Sequence, residues 1–165
     1  VHDEDCAIMI QLTHLGRRTS WNKGDWLPSI SSGKHREPAH KAFPKVVENW
    51  DIQRVIREYG DAAERMKEGG MEIGSHGHNH YWLEKLDMKQ QVYDIECSLA
   101  FLRKDNLLSK KYWFCYPYGS NNETTRLVLK DLGCGAAVTC EPLIAKCDRS
   151  NSLTMARLDT NDIPC

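Results

Sequence analysis

The chain has 165 residues, of which 41% are hydrophobic and 27% charged, and its formal net charge is -1. This composition is typical of a globular protein with one core. The sequence contains neither the basic stripe of a nucleic-acid-binding protein nor the ~20 consecutive apolar residues of a membrane helix, so neither nucleic acid nor membrane is an expected partner.

The predicted elements of the first part of the chain are a strand, a long loop and a helix. Residues 6–12 form a short apolar run of the buried-strand type. Residues 13–50 show no periodicity and predict one long irregular loop, and loops of that length are usually functional or disordered. Apolar positions then recur on one face of residues 51–67, which predicts a helix that ends at Gly69 and Gly70.

Strands and helices alternate in the rest of the chain. Strands are predicted over residues 71–75, 112–116, 135–140 and 153–158, and a helix over residues 122–132. Another helix follows a capping-box pattern, and its predicted face comprises Met88, Val92, Ile95, Leu99 and Leu102. The alternation predicts an α/β fold of partial (βα)-barrel-like type, with a mainly parallel sheet of about four to five strands and flanking helices.

Three chemically informative segments follow predicted strands. They are His14, the cluster at residues 76–80, and the turn at residues 117–119. In parallel α/β folds, active sites lie at the carboxyl ends of the strands. We therefore expect all three segments at the same edge of the sheet.

The histidine cluster predicts a metal site. Imidazole is neutral near pH 7 and is the commonest metal-binding side chain, and Gly77 lets the backbone bend so that imidazoles can converge. We expect His76 and His80 to be ligands and His78 to face away, because alternate residues of extended chain point to opposite sides. The alternative is a polar turn whose imidazoles bond to the backbone.

Residues 70–164 resemble the polysaccharide deacetylases of the NodB-homology class. The segment at residues 72–80 is similar to the metal motif of that family, residues 114–119 to its substrate-groove motif, and residues 133–139 to the strand that follows. The resemblance implies a divalent metal ion, zinc in the usual case. It also implies hydrolysis of the acetyl group of an N-acetylated carbohydrate, with the Tyr118 backbone N–H holding the oxyanion.

The same resemblance implies a sugar-binding surface. Tyr116 and Pro117 belong to the groove motif, and Tyr81 and Trp82 follow the histidine cluster. The alternative for the aromatic side chains is core packing. Cys115 stands where many relatives of this family carry arginine, so the orientation of the substrate need not follow the family pattern.

Two parts of the family site are missing from the chain. The family takes its third ligand and general base from a pair of aspartates, which this sequence lacks; His14 is a candidate replacement ligand, or else a loop-stabilising histidine. The late histidine acid is also absent. Asp159 or Asp162 could serve there, although a capping or turn role is the alternative. We therefore expect weak or absent activity.

Residues 1–70 resemble a middle segment of the old yellow enzyme family of flavin oxidoreductases. The resemblance lies in residues 11–18, the long loop and residues 61–63, and it implies that Gln11 and one of Arg17 and Arg18 would contact flavin. The later strands that hold the FMN phosphate have no counterpart, so stable FMN binding is not expected.

The chain is therefore interpreted as a chimera of two partial βα-barrels, with a flavin-oxidoreductase-like segment over residues 1–70 and a deacetylase-like segment over residues 71–165 in one folded unit. An alternative function is a non-catalytic fragment that self-associates as a homo-oligomer through an exposed sheet edge. The seven scattered cysteines favour free thiols, and the first residues do not resemble a signal peptide, so we expect a cytoplasmic protein.

Overall fold

The computed structural model falls into two compact units, residues 1–62 and residues 63–165. The residues that it describes are 7–18, 28–36, 38, 43–146 and 148–162. Within these ranges, no helix combines the length and apolarity needed to cross a membrane.

The first unit contains little regular structure before its helix. Strand β1 (Ile30–Ser31) pairs in parallel with β2 (Lys45–Val46), so the region predicted as one loop contains a small sheet. The predicted strand over residues 6–12 is wrong for its described part, residues 7–12, which are exposed coil. An apolar run forms a strand only where a neighbouring strand can complete its backbone hydrogen bonds, and no described strand pairs with residues 7–12.

Helix α1 (Asn49–Glu68) confirms the helix predicted over residues 51–67. Its C-terminus is a Schellman motif. The Met71 amide donates to the Met66 carbonyl at 3.0 Å and the Gly70 amide to the Lys67 carbonyl at 2.9 Å. Gly70 has φ = +78°, a left-handed conformation that glycine adopts without a steric penalty, which is why the helix ends here.

The second unit is built around four parallel strand positions. Strand β3 (Tyr112–Cys115) pairs with β4 (Cys134–Val138), while Ser75 bridges to Phe114 on one side and Met155 bridges to Val138 on the other. The predicted strands over residues 71–75 and 153–158 are thus reduced to single bridges. The α/β class with parallel pairing and flanking helices is confirmed.

Two capped helices, α2 (Met88–Lys104) and α3 (Glu123–Asp131), flank this sheet. The capping box predicted for α2 is confirmed: Asp87 accepts from the Gln90 amide at 2.9 Å, and the Gln90 side chain accepts from the Asp87 amide at 3.0 Å. The core of the unit comprises Leu83, Ile95, Leu99, Tyr112, Phe114, Tyr116, Val128, Leu129 and Ala137.

The buried face of α2 differs from the predicted one. Ile95 and Leu99 are buried as predicted, but Met88 is 53% exposed. Polar side chains fill the rest of the buried face: Gln91, Asp94 and Ser98. Asp94 and Ser98 find hydrogen-bond partners in the histidine segment, residues 75–80. The Gln91 side chain donates to the Leu86 carbonyl at 3.0 Å, and its Oε1 has no partner among the described residues.

Candidate functional site

The histidine segment begins at the carboxyl end of the sheet. Ser75 is held against β3 by its amide, which donates to the Trp113 carbonyl at 2.8 Å, and by its carbonyl, which accepts from the Cys115 amide at 2.9 Å. Its hydroxyl lies 2.7 Å from that of Ser98 on α2. His76 therefore leaves the sheet from a fixed position, with β3 on one side and α2 behind it.

Asp94 of α2 shapes the loop after His76. Its carboxylate accepts hydrogen bonds from the amides of His78 and Asn79, at 3.0 and 2.9 Å, and from the Asn79 side chain at 2.9 Å. Gly77 has φ = +75°, and a Cβ there would lie 2.8 Å from Asp94 Oδ2. The close approach of loop and carboxylate therefore requires glycine. A groove of about 380 Å³ lies beside this loop, next to Ser98.

The tautomer of His76 follows from its surroundings. Its Nδ1 lies 2.7 Å from the Cys115 carbonyl oxygen, which can only accept, so Nδ1 carries the proton and Nε2 keeps its lone pair. Burial lowers the pKa of His76; the hydrogen bond to the Cys115 carbonyl opposes this, and electrostatic interactions with His80 and Arg157 add to the lowering. His76 is therefore a neutral imidazole with one free ring nitrogen, as a metal ligand requires.

His80 joins His76 to an exposed aromatic group. The His80 ring packs edge-on against His76 at 4.7 Å and against Tyr118 at 4.6 Å between centroids. Tyr118 in turn stacks on Trp82 at 4.5 Å, with the planes 7° apart. Tyr81, Trp82 and Tyr118 are each about half exposed. The two imidazoles thus adjoin a flat aromatic surface open to solvent.

The turn after β3 has an unusual backbone conformation. Tyr118 has φ = 58° and ψ = 13°, a left-handed conformation that is costly for a residue with a side chain. The amides of Gly119 and Ser120 donate to the carbonyls of Tyr116 and Pro117, whereas the Tyr118 amide takes part in no hydrogen bond of the turn. A free amide donor in the residue whose ring contacts His80 is suited to an oxyanion.

Several predicted site residues lie elsewhere. Tyr116 is fully buried, and its hydroxyl donates to the Leu153 carbonyl at 2.8 Å, so the core-packing alternative describes it; Pro117 is buried beside it. Asp159 and Asp162 belong to one exposed turn. Asp159 accepts from Asn161, and Asp162 accepts from the Asp159 amide at 2.8 Å, as in the alternative turn role.

The remaining predicted residues belong to the first unit. The His14 Nδ1 accepts a hydrogen bond from the Gly16 amide at 3.1 Å, the contact of a loop-stabilising histidine. Gln11 lies in exposed coil. The ligand role of His14 and the flavin role of Gln11 stay predictions.

The residues that the structure describes satisfy only part of a metal site. His76 and His80 supply suitable imidazoles, but no group of three His, Cys, Asp or Glu side chains in the described ranges could hold an ion. A mononuclear hydrolytic zinc site uses three protein ligands and one open position. The donor chemistry fits a metal, while the described ligand set is incomplete.

Sequence reasoning missed two residues that shape this site. Asp94 gave one signal, a carboxylate at a position that the helix period places near the buried face, where unpaired charge is rare. Arg157 gave none. Its Nε donates to the Thr139 carbonyl at 3.0 Å. Burial lowers the pKa of His76 and Arg157 adds to the lowering, whereas burial raises the pKa of Cys115 and Arg157 opposes the rise.

Comparisons with solved structures and curated proteins divide between a deacetylase and oxidoreductases. A solved structure, Streptococcus pyogenes deacetylase PplD in complex with acetate, is similar with a TM-score of 0.52 and 28% identity, over 57% of this chain and 41% of its own. The probable N-methylproline demethylase of Rhizobium meliloti (strain 1021) is 62% identical over 81 residues, which are 47% of this chain and 12% of that protein.

Two further curated relatives are oxidoreductases. The multifunctional alkene reductase/demethylase OYE of Caballeronia cordobensis is 42% identical, over 48% of this chain and 12% of its own. The N,N-dimethylglycine/sarcosine dehydrogenase of Chromohalobacter salexigens is 34% identical, over 56% and 14%. The chain thus spans about one seventh or less of the curated relatives.

Family models give the same division. The polysaccharide deacetylase model matches residues 45–137, and the NADH:flavin oxidoreductase / NADH oxidase model matches residues 1–88. The two ranges differ and overlap, in agreement with the predicted chimera. The chain belongs to both families, to the flavin oxidoreductases through residues 1–88 and to the polysaccharide deacetylases through residues 45–137, and the histidine cluster lies where the two ranges overlap.

Proposed function

We propose that the second unit carries a metal-dependent, deacetylase-like hydrolase site for N-acetylated carbohydrate, with His76 and His80 as metal ligands and with weak or absent turnover. The observation that carries the proposal is the Nδ1–H bond of His76 to the Cys115 carbonyl, which leaves Nε2 free beside the His80 ring. The deacetylase family match and the deacetylase neighbour support it.

The residues of this unit have separate tasks in the proposed reaction. A divalent ion such as zinc would supply an activated water and polarise the acetyl carbonyl. The Tyr118 amide would donate to the oxygen on which negative charge develops. Trp82 and Tyr118, with Tyr81 near them in sequence, offer aromatic faces on which a sugar ring can stack, while Tyr116 and Pro117 support the turn from within the core.

Weak turnover follows from the missing proton-transfer groups. His14 as third ligand and Asp159 or Asp162 as acid or base stay predictions, and both carboxylates are engaged in their own turn. Loss of a positioned general acid or base reduces the rate by about 10²–10⁴-fold. Metal binding is therefore a sharper test than turnover.

The test is the metal content of the purified chain by elemental analysis. We expect near-stoichiometric zinc or another divalent ion in the wild type, and its loss in His76→Ala and in His80→Asn. Asparagine is chosen at position 80 because His80 has φ = 57°, a conformation that asparagine tolerates better than alanine. His14→Ala, measured in parallel, tests the predicted third ligand.

His78→Ala is the matched control, because His78 lies in the same loop but contacts Asp94 through its backbone amide. It should keep the metal. A metal-free wild type, or metal retained by both the His76 and His80 variants, would contradict the proposal. Acetate release from an N-acetylglucosamine oligomer by the metal-loaded chain then measures the residual activity.

The second candidate function is binding of FMN by the first unit, and the 62% identity to a probable N-methylproline demethylase favours it. The chain covers 12% of that protein, so most of a flavin site would lie outside it. Visible flavin absorbance that survives gel filtration after mixing with FMN would support this candidate, and loss of all absorbance would dismiss it. A homo-oligomer and a cytoplasmic location stay predictions.

A further inference from the structure

A second groove lies near the amino-terminal end of β4, whereas the histidine segment lies at the carboxyl end of the sheet. Its volume is about 590 Å³, within the ~300–1,000 Å³ typical of small-molecule sites. Helix α3 forms one wall and residues 149–154 form the other. The lining residues are Arg126, Lys130, Cys134, Arg149, Ser150, Ser152, Leu153 and Thr154.

Among the residues that the structure describes, three cations line this groove and no carboxylate does. Arg126 and Lys130 are four residues apart on α3 and so share one face of the helix, while Arg149 comes from the opposite wall. None of the three forms a salt bridge with any residue in the described part of the chain. Arg126 donates one hydrogen bond from Nη1 to the Asn121 side chain, at 2.6 Å, and keeps its other donors.

Asp148, the acidic residue next to Arg149 in sequence, is engaged in its own turn. The Asp148 carboxylate accepts from the Ser150 amide at 2.9 Å, the Asn151 amide at 3.0 Å and the Asn151 side chain at 3.1 Å, and also from the Ser150 hydroxyl. These donors offset its charge within the turn. Asp148 does not line the groove.

The remaining lining groups carry no charge. Burial raises the pKa of the Cys134 thiol to about 12, so the thiol stays neutral, and it donates to backbone carbonyls of Ala136 and Tyr112. Leu153 is apolar, and Ser152 and Thr154 offer hydroxyl groups. Each wall of the groove therefore carries positive charge, and the other side chains that line the groove are neutral.

We propose that this groove binds a small tetrahedral dianion, the phosphate or sulfate group of a free small-molecule ligand. Guanidinium groups match the oxygens of such anions with paired, charge-assisted hydrogen bonds, and a lysine ammonium adds a point charge. The volume of this open groove suits a ligand of metabolite size. The proposal does not depend on the metal site, because it uses none of the residues of the histidine segment.

The test is titration of the full chain with inorganic phosphate and with sulfate against chloride at constant ionic strength, followed by NMR of the arginine Nε–H groups. We expect saturable shifts of Arg126 and Arg149 with phosphate or sulfate and none with chloride. Arg149→Gln should weaken binding by about tenfold, because hydrogen bonds to charged groups carry most of the affinity. Arg149→Lys should recover part of it.

Lys89→Gln is the matched control, since Lys89 is an exposed cation on α2 outside the groove. Arg149 is exposed and forms no described contact through its side chain, so its variant should fold normally; Arg126→Gln is the second variant. A sugar phosphate that binds tighter than inorganic phosphate would identify an organic ligand, and equal affinity would identify the free ion. Equal effects of phosphate and chloride, or equal weakening by Lys89→Gln and Arg149→Gln, would overturn the proposal.

Discussion

The two units differ in how they bury apolar side chains. Leu99, like the other residues of the second unit's core, is almost inaccessible to solvent. In the described part of the first unit, Ile30 is buried, but Ile8, Met9 and Ile10 are more than half exposed. Burial of apolar surface is the main favourable term in folding. Among the described residues, the second unit has a cluster of buried apolar side chains and the first unit has none, although Leu143 and Ile144 of the second unit are exposed as well.

The units also differ in how they hold a buried carboxylate. Asp51 of the first unit is paired with a cation, accepting from Lys45 Nζ at 2.6 Å and from the Glu48 amide at 3.0 Å. Asp94 of the second unit accepts from neutral donors of the histidine segment. The first arrangement fixes the start of α1, and the second shapes a candidate site.

The difference in burial predicts the largest effect on stability. Leu99→Ala should lower the free energy of unfolding by about 2–5 kcal/mol, because it removes a fully buried side chain and leaves a cavity. Ile10→Ala removes a side chain that is 58% exposed and should change it by less than about 0.5 kcal/mol. Denaturant unfolding followed by tryptophan fluorescence measures both.

The matched substitution within the second unit is Leu127→Ala, since Leu127 is 51% exposed on α3. It should behave as Ile10→Ala does. If Ile10→Ala were as costly as Leu99→Ala, the first unit would bury its apolar run and the comparison would fail.

A smaller effect is expected at the buried carboxylate of the site. Asp94→Ala leaves the amides of His78 and Asn79 without their acceptor, which should cost about 1–3 kcal/mol and speed hydrogen exchange at these two amides. Asp94→Asn should have a smaller effect, because one carbonyl oxygen remains for the two donors of Asn79. Residue-resolved hydrogen exchange measures both variants.

Asp51→Ala is the counterpart in the first unit. It should speed exchange at the Glu48 amide, which donates to Asp51, and leave the histidine segment unchanged. Unchanged exchange at His78 and Asn79 in Asp94→Ala would show that Asp94 does not hold the loop.

Much of the local structure was predictable because its causes are local. The capping box of Asp87 and the glycine end of α1 depend on residues a few positions apart, and both were found from the sequence. The ends of the strands depend on partners far along the chain: among the described residues, Ser75 is paired only by β3, and Met155 only by β4. The apolar runs predicted strands that are longer than the observed ones, because the pattern of one segment cannot show how far the neighbouring strand extends alongside it.

Only the residues of the candidate site that belong to the sequence motif were predictable. His76 and His80 follow from the motif, and the structure brings their rings together. The roles of Asp94 and Arg157 depend on distant parts of the chain that meet only in the folded unit, and no spacing rule contains that information. The burial of Tyr116 follows from the alternation of β3 continuing one residue past its end.

The smallest of the three predicted effects is a difference between the two units in their response to acid. Burial lowers the pKa of His76 in the metal-free chain, so the unfolded state takes up this proton at higher pH than the folded state. The contribution of His76 to stability is therefore complete above pH ~6.5 and declines as the pH falls through the folded pKa. At Asp51, burial raises the pKa, but the hydrogen bonds from Lys45 and from the Glu48 amide outweigh burial, so the pKa is lowered overall. The contribution of Asp51 to stability therefore persists as the pH falls to about 4.

Acidification from pH 7 to pH 5 should thus lower the hydrogen-exchange protection factors around His76 before it lowers those around Asp51. Arg157→Gln should raise the pKa of His76 toward its ordinary value, because a neighbouring positive charge is removed, and histidine ring NMR measures the change. Lys89→Gln should leave that pKa unchanged. An unchanged or lower pKa of His76 in Arg157→Gln would mean that the cation does not act on the site, and earlier loss of protection around Asp51 would reverse the order expected for the two units.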